Sequence, residues 1–351
     1  MTTTLQINMQ CPIPQFDFDV IQLGHGSGGV LTRRLLESGV FSVLDNELLG
    51  QKHDGAIFSM EGKMAFSTDS YVVSPLFFPG GDIGTLAVHG TVNDLAMCGA
   101  MAQYLSLSFI LEEGLPIEEF WQVIQSIRES ALKAGVQIVT GDTKVVERGK
   151  GDKIYINTSG IGLIHPQSDI QMSRIKTGDL VLLSGMVASH GMAIMSKRSG
   201  MEFQTDILSD TCHLNYLVGQ LLDRFGKKIH FLRDPTRGGV AGVLNEIAQD
   251  ARVGIDIREK DIGISAQVEG ACEMLGLDPL YVASEGTFIA IVEPDIASEI
   301  LAVMQSHESS RNASLVGLIT SDHPGQVVME SRIGGRRIVQ MLPGEQLPRI
   351  C

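Results

Sequence analysis

Asp69, Asp94 and Asp142 stand in similar settings: Phe66-Ser-Thr-Asp69-Ser, Val92-Asn-Asp94-Leu and Val139-Thr-Gly-Asp142-Thr-Lys144. Each lies in or just past an apolar element beside small or polar residues, so its carboxylate can project from the rim of a packed core. Such acids are hard oxygen ligands of the kind Mg²⁺ uses when it bridges to a nucleotide phosphate. Singly, each also fits a helix cap or a turn; together, in one half of the chain, they favour a metal–phosphate site.

The main glycine cluster is Leu23-Gly-His-Gly-Ser-Gly-Gly29. Its backbone N–H groups could cradle phosphate oxygens at the start of a helix expected from Val30 to Glu37, although a loop without ligand fits the same letters. Gly24, Gly26 and Gly29 match G-x-G-x-x-G, but only the short Val20 to Leu23 precedes them and no βαβ unit follows, which argues against a dinucleotide fold. The P-loop pattern is absent because Val30 stands where its lysine would follow. Two further segments place charge beside glycine: Arg233-Asp234-Pro235-Thr236-Arg237-Gly238-Gly239 before a helix, and Ser284-Glu285-Gly286-Thr287 before a strand. His89, Lys144 and Glu285 are candidate acid, base or electrophilic groups, although a lone ionisable residue is more often structural than catalytic. The nine histidines contain no H-E-x-x-H spacing.

Cys351 ends the segment Leu347-Pro348-Arg349-Ile350-Cys351. Pro343, Gly344 and Pro348 break any helix or central strand there, so the thiol is expected on a leash. From Pro343 to Cys351 the extended chain reaches roughly 30 Å, at about 3.3 Å per residue. A frayed end is one reading; a sulfur able to visit more than one site is another. The α-carboxylate beside the sulfur disfavours thiolate and nearby Arg349 favours it, so no strongly activated thiol is expected.

These groups must be held by folded elements. Ala56 to Val73 reads as a hairpin turning at Gly62, Gly84 to Met97 as a helix, and Gln103 to Leu111 as a strand with one buried face. Ile117, Phe120, Trp121, Ile124, Ile127 and Ala131 recur at spacings of three and four, the stripe of an amphipathic helix. Val136 to Thr140 and Ile154 to Ile164 return as strands. The second half alternates likewise: strand Leu180 to Leu183, helices around Met192 and at Tyr216 to Phe225 and Val240 to Ala251, then strand Val253 to Ile257. Helices Val268 to Leu275 and Ile296 to Gln305 and strands Phe288 to Val292, Ser314 to Ile319 and Gln326 to Met329 complete it. The class is mixed α/β or α+β, with the best boundary at His165-Pro-Gln-Ser-Asp169.

The 351 residues suffice for two domains, and 44% hydrophobic residues are ample for two cores. With 27 Lys plus Arg against 41 Asp plus Glu, the formal charge of −14 opposes nucleic acid or an anionic membrane as partner. The opening ten residues lack the basic and apolar regions of a secretory signal, and no run approaches the ~20 apolar residues of a membrane span, so a cytoplasmic protein is expected. Cys11, Cys98, Cys212, Cys272 and Cys351 form no C-x-x-C pair, which fits free thiols.

Taken together, HGSGG (25–29), FSTDSYVV, GTVNDLAMCGA, GDTKVVERG, RDPTRGGVAGVLNEIA, SEGT and the final PRIC resemble the HypE family of hydrogenase maturation factors. That family lies within the aminoimidazole ribonucleotide synthetase and selenophosphate synthetase (PurM-like) superfamily. The likeness runs from about Asp17 to the end, and PRIC is its specific mark. It implies a PurM-like two-domain fold: an extension at 1–16, an ATP-binding and dimerisation domain at 17–165, a second domain at 166–341 and a mobile tail at 342–351. It implies ATP and Mg²⁺ as cofactors, a homodimer, and partners in the carbamoyltransferase HypF and the HypC–HypD iron scaffold.

By the same resemblance, the tail cysteine receives a carbamoyl group and ATP dehydrates it to a thiocyanate, the cyanide source for NiFe hydrogenase. Asp69, Asp94 and Asp142 would hold Mg²⁺. Gly26, Ser27, Gly28, Gly29, Asp69, Asn93, Asp94, Thr143, Asp234, Arg237 and Gly238 would bind the nucleotide. Cys351, Lys144, Glu285 and His89 would be catalytic. An ATP-dependent small-molecule kinase or synthetase of the superfamily, and a non-catalytic thiol carrier, stand as alternatives.

Overall fold

The computed structural model describes residues 18–51, 55–200, 207–342, 344, 347 and 349–351. The extension at 1–16, Cys11, and the breakers Pro343 and Pro348 lie outside these residues. A short helix α1 (Val30–Leu35) precedes the first domain proper. That domain contains β1 (Met64–Tyr71), α2 (Ile83–Met97), β2 (Ala100–Glu112), α3 (Ile117–Ala134), β3 (Gln137–Val146) and β4 (Ile154–Ile164). Its four strands are ordered β1-β4-β2-β3; β2 and β3 run parallel through the α3 crossover, and the other pairings are antiparallel.

The local chemistry explains these elements. Ile117, Phe120, Trp121, Ile124, Ile127 and Ala131 of α3 are buried as one stripe, and Gly135, left-handed at φ 71°, ends the helix. The helix α2 begins where Asp82 accepts from the Thr85 N–H at 2.9 Å. It is buried around nearly its whole circumference, because it lies between the first domain's sheet and the second domain.

The second domain contributes β5 (Leu180–Leu183), α4 (Ser189–Arg198), α5 (Asn215–Phe225), β6 (Ile229–Arg233), α6 (Gly239–Asp250) and β7 (Gly254–Arg258). It continues with α7 (Ala266–Leu275), β8 (Ile289–Val292), α8 (Ala297–Ser306), β9 (Ser314–Thr320), β10 (Val327–Glu330) and β11 (Arg336–Val339). Seven strands form one mixed sheet in the order β11-β10-β7-β9-β5-β8-β6. The larger hydrophobic core runs continuously from Leu86 and Leu105 in the first domain to Val240 and Ile289 in the second, and it includes Leu347 and Ile350 of the C-terminal segment.

Two expectations change. The hairpin at Ala56 to Val73 does not form: residues 56–60 carry no strand, and β1 pairs with β4 instead. Phe58 packs its ring on Tyr104 at 4.5 Å, so this segment crosses the open face of the sheet rather than extending its edge. Nor does the tail dangle, since Ile350 forms an antiparallel bridge to Val73. The strand end after Tyr71 supplies the backbone partners that a short segment cannot provide for itself. Strands β6 and β11 had no counterpart in the pattern reading.

Candidate active site

Four elements converge where the domains meet. From β1, Ser67 donates to Asp94 Oδ2 on α2 at 2.7 Å. Asp69, two residues further on, alternates to the same side of the strand. Burial raises the Asp94 pKa, Ser67 opposes the rise, and Asp69 adds to it. Asp234, just past β6, is pushed to about 7 by burial and then by Asp94. Glu285, 4% exposed in the loop before β8, has no partner for Oε1 among the described residues. Its carboxyl is raised well above the usual range, first by burial and then by Asp234, Asp210, Asp69 and Asp94.

Crowded, buried carboxylates with raised pKa values form a set of hard oxygen donors short of positive charge. Such a set fits Mg²⁺. Among the described residues no three acids, histidines or cysteines form a ready-made metal cage; Mg²⁺ is commonly held by one or two carboxylates plus substrate phosphates.

Cys351 lies in this cluster. Its thiol is pushed up to about 12, by burial first, then by Glu285, with Arg237 opposing through charge and a hydrogen bond. The thiol is therefore not activated, and the cause is burial followed by Glu285, with Arg237 rather than Arg349 as the opposing cation. Arg349 is engaged elsewhere, donating to Asp152 Oδ2 at 2.7 Å.

The backbone of the C-terminal segment is held at three points. Arg349 O accepts from Ser74 N at 3.2 Å and from Arg198 Nη2 at 2.7 Å. Ile350 O accepts from His190 Nε2 at 2.6 Å. Leu347 and Ile350 are each 6% exposed and line a cavity of about 450 Å³ together with Arg237, Gly238 and Tyr281. Gly239, at the start of α6, is left-handed at φ 62°, and a Cβ there would lie 2.5 Å from Leu280 O. This explains the paired glycines after Arg237.

The remaining candidates fall in two other places. Gly26, Gly28, Asp142, Thr143 and Lys144 line a separate cavity of about 140 Å³, with Ser27 and Gly29 in the same loop. Lys144 Nζ pairs with Asp142 Oδ2 at 2.8 Å, and that hydrogen bond holds the Asp142 carboxyl below its usual range. Asp69 and Asp142 lie on the two edge strands, three strand spacings or roughly 14 Å apart. Asp142 pairs with Ser108, whose neighbours Leu107 and Phe109 are buried. By alternation Asp142 and Lys144 therefore face the open side of the sheet, whereas Asp69 faces α2.

His89 and Asn93 lie on α2 against the second domain. Asn93 Nδ2 donates to Cys212 O at 2.9 Å and Glu285 O at 3.2 Å, and Oδ1 accepts from Leu214 N at 2.8 Å. Its amide is spent on joining the domains. His89 contacts Thr211 and the His213 ring; burial holds its pKa down at about 3.

Residues 52–164 match the N-terminal domain of AIR synthase related proteins and residues 176–330 the C-terminal domain. The chain is 48% identical over 332 residues to the carbamoyl dehydratase HypE of Rhizobium leguminosarum bv. viciae, covering 94% of this chain and 95% of that one. The chain belongs to the HypE family. Among solved structures, a HypE hydrogenase maturation protein in complex with ATP superposes with a TM-score of 0.91 at 46% identity, covering 94% and 99% of the two chains. A HypE–HypF complex matches with a TM-score of 0.78 at 43% identity, covering 90% and 100%. The fold is therefore the PurM-like one, and the family is one of enzymes.

In this HypE-family chain, sequence reasoning missed His190, Arg198, Asp152 and Asp210. Asp210 accepts from the backbone N–H groups of Glu285 at 3.3 Å and Gly286 at 3.0 Å. A Cβ on Gly286 would lie 1.8 Å from Asp210 O, so the glycine beside Glu285 was the available hint that another backbone passes close by. His190 and Arg198 left no such signal, because they act on carbonyl groups far away in the chain.

Proposed function

We propose that this chain uses ATP to dehydrate a carbamoyl group carried as a thiocarbamate on Cys351, giving a thiocyanate that supplies cyanide for the iron of NiFe hydrogenase. The observation that carries the reading is the half-buried Cys351 thiol beside Glu285 and Arg237 at the edge of the acid cluster. A substrate tethered to the chain is thereby held partly screened from water beside those groups. HypF is the carbamoyl donor, and the cyano group leaves the Cys351 sulfur for HypC–HypD, a transfer that returns the thiolate and takes two electrons from a reductant on the receiving side.

An amide oxygen is a poor leaving group, and phosphorylation turns it into a good one. The oxygen of Cys351–S–C(=O)NH₂ attacks the γ-phosphorus of ATP, ADP departs, and loss of two protons from nitrogen expels phosphate and leaves S–C≡N. Asp69 and Asp94 would hold Mg²⁺, which supplies neutralisation of phosphate charge. Glu285 takes the nitrogen protons; its raised pKa makes the ionised form a stronger base. Arg237 steadies the sulfur end.

Lys144 and Asp142 lie across the sheet from this cluster, and they join it through a homodimer. One face of the first domain's sheet is covered by α2 and α3, while Phe66 (71% exposed), Met64 and Ile110 lie open on the other. A second copy paired there would bring the Lys144 edge of one protomer alongside the β1 edge of its partner, the strand that carries Asp69. The buried C-terminal segment represents the inward state; carbamoyl loading and delivery need an outward one.

The test is mass spectrometry of the C-terminal peptide, after loading by HypF with its carbamoyl donor and again after MgATP. Loss of one water supports the reading. An unchanged carbamoyl adduct marks a carrier only, and turnover of a small molecule after removal of residues 348–351 marks a kinase or synthetase.

A further inference from the structure

The peptide unit joining Ile350 to Cys351 offers one carbonyl, and among the described residues a single side chain receives it. His190 is fully buried in the first turn of α4, with its Nε2 at 2.6 Å from Ile350 O and its Nδ1 at 2.8 Å from Ser209 Oγ. A carbonyl can only accept, so Nε2 carries the proton. Ser209 Oγ accepts from the Thr211 N–H at 3.1 Å and has its own hydrogen left for Nδ1. Every donor has an acceptor while the imidazole is neutral, and burial favours that neutral form, with Asp210 opposing.

The helix that carries His190 is tied to the loop that carries Glu285. Gly191 N–H donates to Ala283 O at 3.1 Å, and Ala188 N–H donates to Ser284 Oγ at 2.9 Å. Ala188 sits in the left-handed region at φ 70°, a strained position for alanine that these two ties stabilise. Ser209, which orients the ring, precedes Asp210, which binds the Glu285 backbone. His190 and Glu285 thus share one rigid frame.

We infer that His190 is a positioning residue for the dehydration: it fixes the Ile350 carbonyl and so sets where the group on Cys351 lies relative to Glu285. This rests on the thiocarbamate reading of Cys351. Without the imidazole the carbonyl is left buried and unpaired, which disfavours the inward state. The outward state, and with it carbamoyl loading, is unaffected.

The experiment uses the full-length protein with His190→Ala, His190→Gln and Ser209→Ala. Alkylation of Cys351 by iodoacetamide, followed on the C-terminal peptide, reports inward docking without any carbamoyl chemistry. His190→Ala is expected to speed alkylation roughly 5- to 100-fold, the range for leaving a buried acceptor unpaired, and to slow single-turnover dehydration by a similar factor. Loading by HypF and MgATP binding should stay at wild-type levels. His190→Gln, which keeps a donor, should recover most of the protection.

Protection of Cys351 in His190→Ala equal to wild type, or a wild-type dehydration rate in the loaded variant, overturns the inference. Should His190→Ala fail to bind MgATP and prove unfolded, Ser209→Ala decides. It keeps the ring but frees its orientation, so faster alkylation supports the inference and an unchanged rate overturns it. If loaded wild-type protein itself loses no water with MgATP, the dehydration reading fails instead.

Discussion

The guanidinium of Arg237 opposes the rise of the Cys351 thiol pKa, although Arg237 precedes α6 and Cys351 ends the chain. Arg349, two residues from the sulfur, turns away to Asp152. The cation that serves the thiol is thus part of the fixed site, while the segment's own cation helps to anchor its backbone.

Cys351→Ala should bind MgATP as wild type does and accept no carbamoyl group from HypF. Mass spectrometry of the intact variant checks this. A normal mass gain on the alanine variant would refute the assignment of the thiol as the carrier.

Lys144→Ala and Glu285→Gln should each load normally and dehydrate roughly 10²–10⁴-fold more slowly, the usual worth of a positioned acid–base group. Mixing the two variants tests the homodimer. If Lys144 acts on the partner's acid cluster, random mixing should restore about a quarter of the wild-type rate, since half the dimers are mixed and each has one intact site. No recovery on mixing would confine Lys144 to its own protomer.

Asp210→Asn should shift the acid limb of the dehydration rate to lower pH. Asp210 is one of the charges that raise the Glu285 pKa, so removing it lets Glu285 ionise earlier as pH climbs. Single-turnover rates across pH 5–9 report the shift, and an unmoved limb would exclude Glu285 as the titrating base.

Glu285→Gln should raise thermal stability at neutral and alkaline pH. A carboxyl whose folded pKa exceeds its unfolded value binds more protons when folded, so stability falls as pH rises from the unfolded pKa toward the folded one. The variant escapes that loss. Its Tm should match wild type near pH 4 and exceed it by about 2 °C or more at pH 8 without Mg²⁺. Asp234→Asn, whose parent carboxyl is pushed to about 7, should behave alike. A Tm difference independent of pH would show that the acids are not strained by their neighbours.

Much of the secondary structure was legible because side-chain period reports burial. The α3 stripe and the strands at Ile154 and Leu180 announce themselves by spacing. Where the period failed, a physical cause is visible. Residues 56–60 have the composition of a strand, yet their aromatic side chain is spent on Tyr104 across the sheet. Strand β11, Arg336–Val339, is mostly exposed at the end of its sheet, so it carries almost no apolar alternation to read.

The sequence by itself determined which residue types are available: carboxylates beside glycines, a cysteine after a proline-broken segment, and a family whose motifs run along nearly the whole chain. Those follow from local composition and spacing. Only the tertiary structure decided which groups meet. Asp69, Asp94, Asp234 and Glu285 crowd together with Cys351, while Asp142 and Lys144 go to the far edge and opposite face of the same sheet. Strand order and side-chain parity fix that division, and both are set by long-range pairing between β1, β4, β2 and β3 rather than by neighbours in sequence.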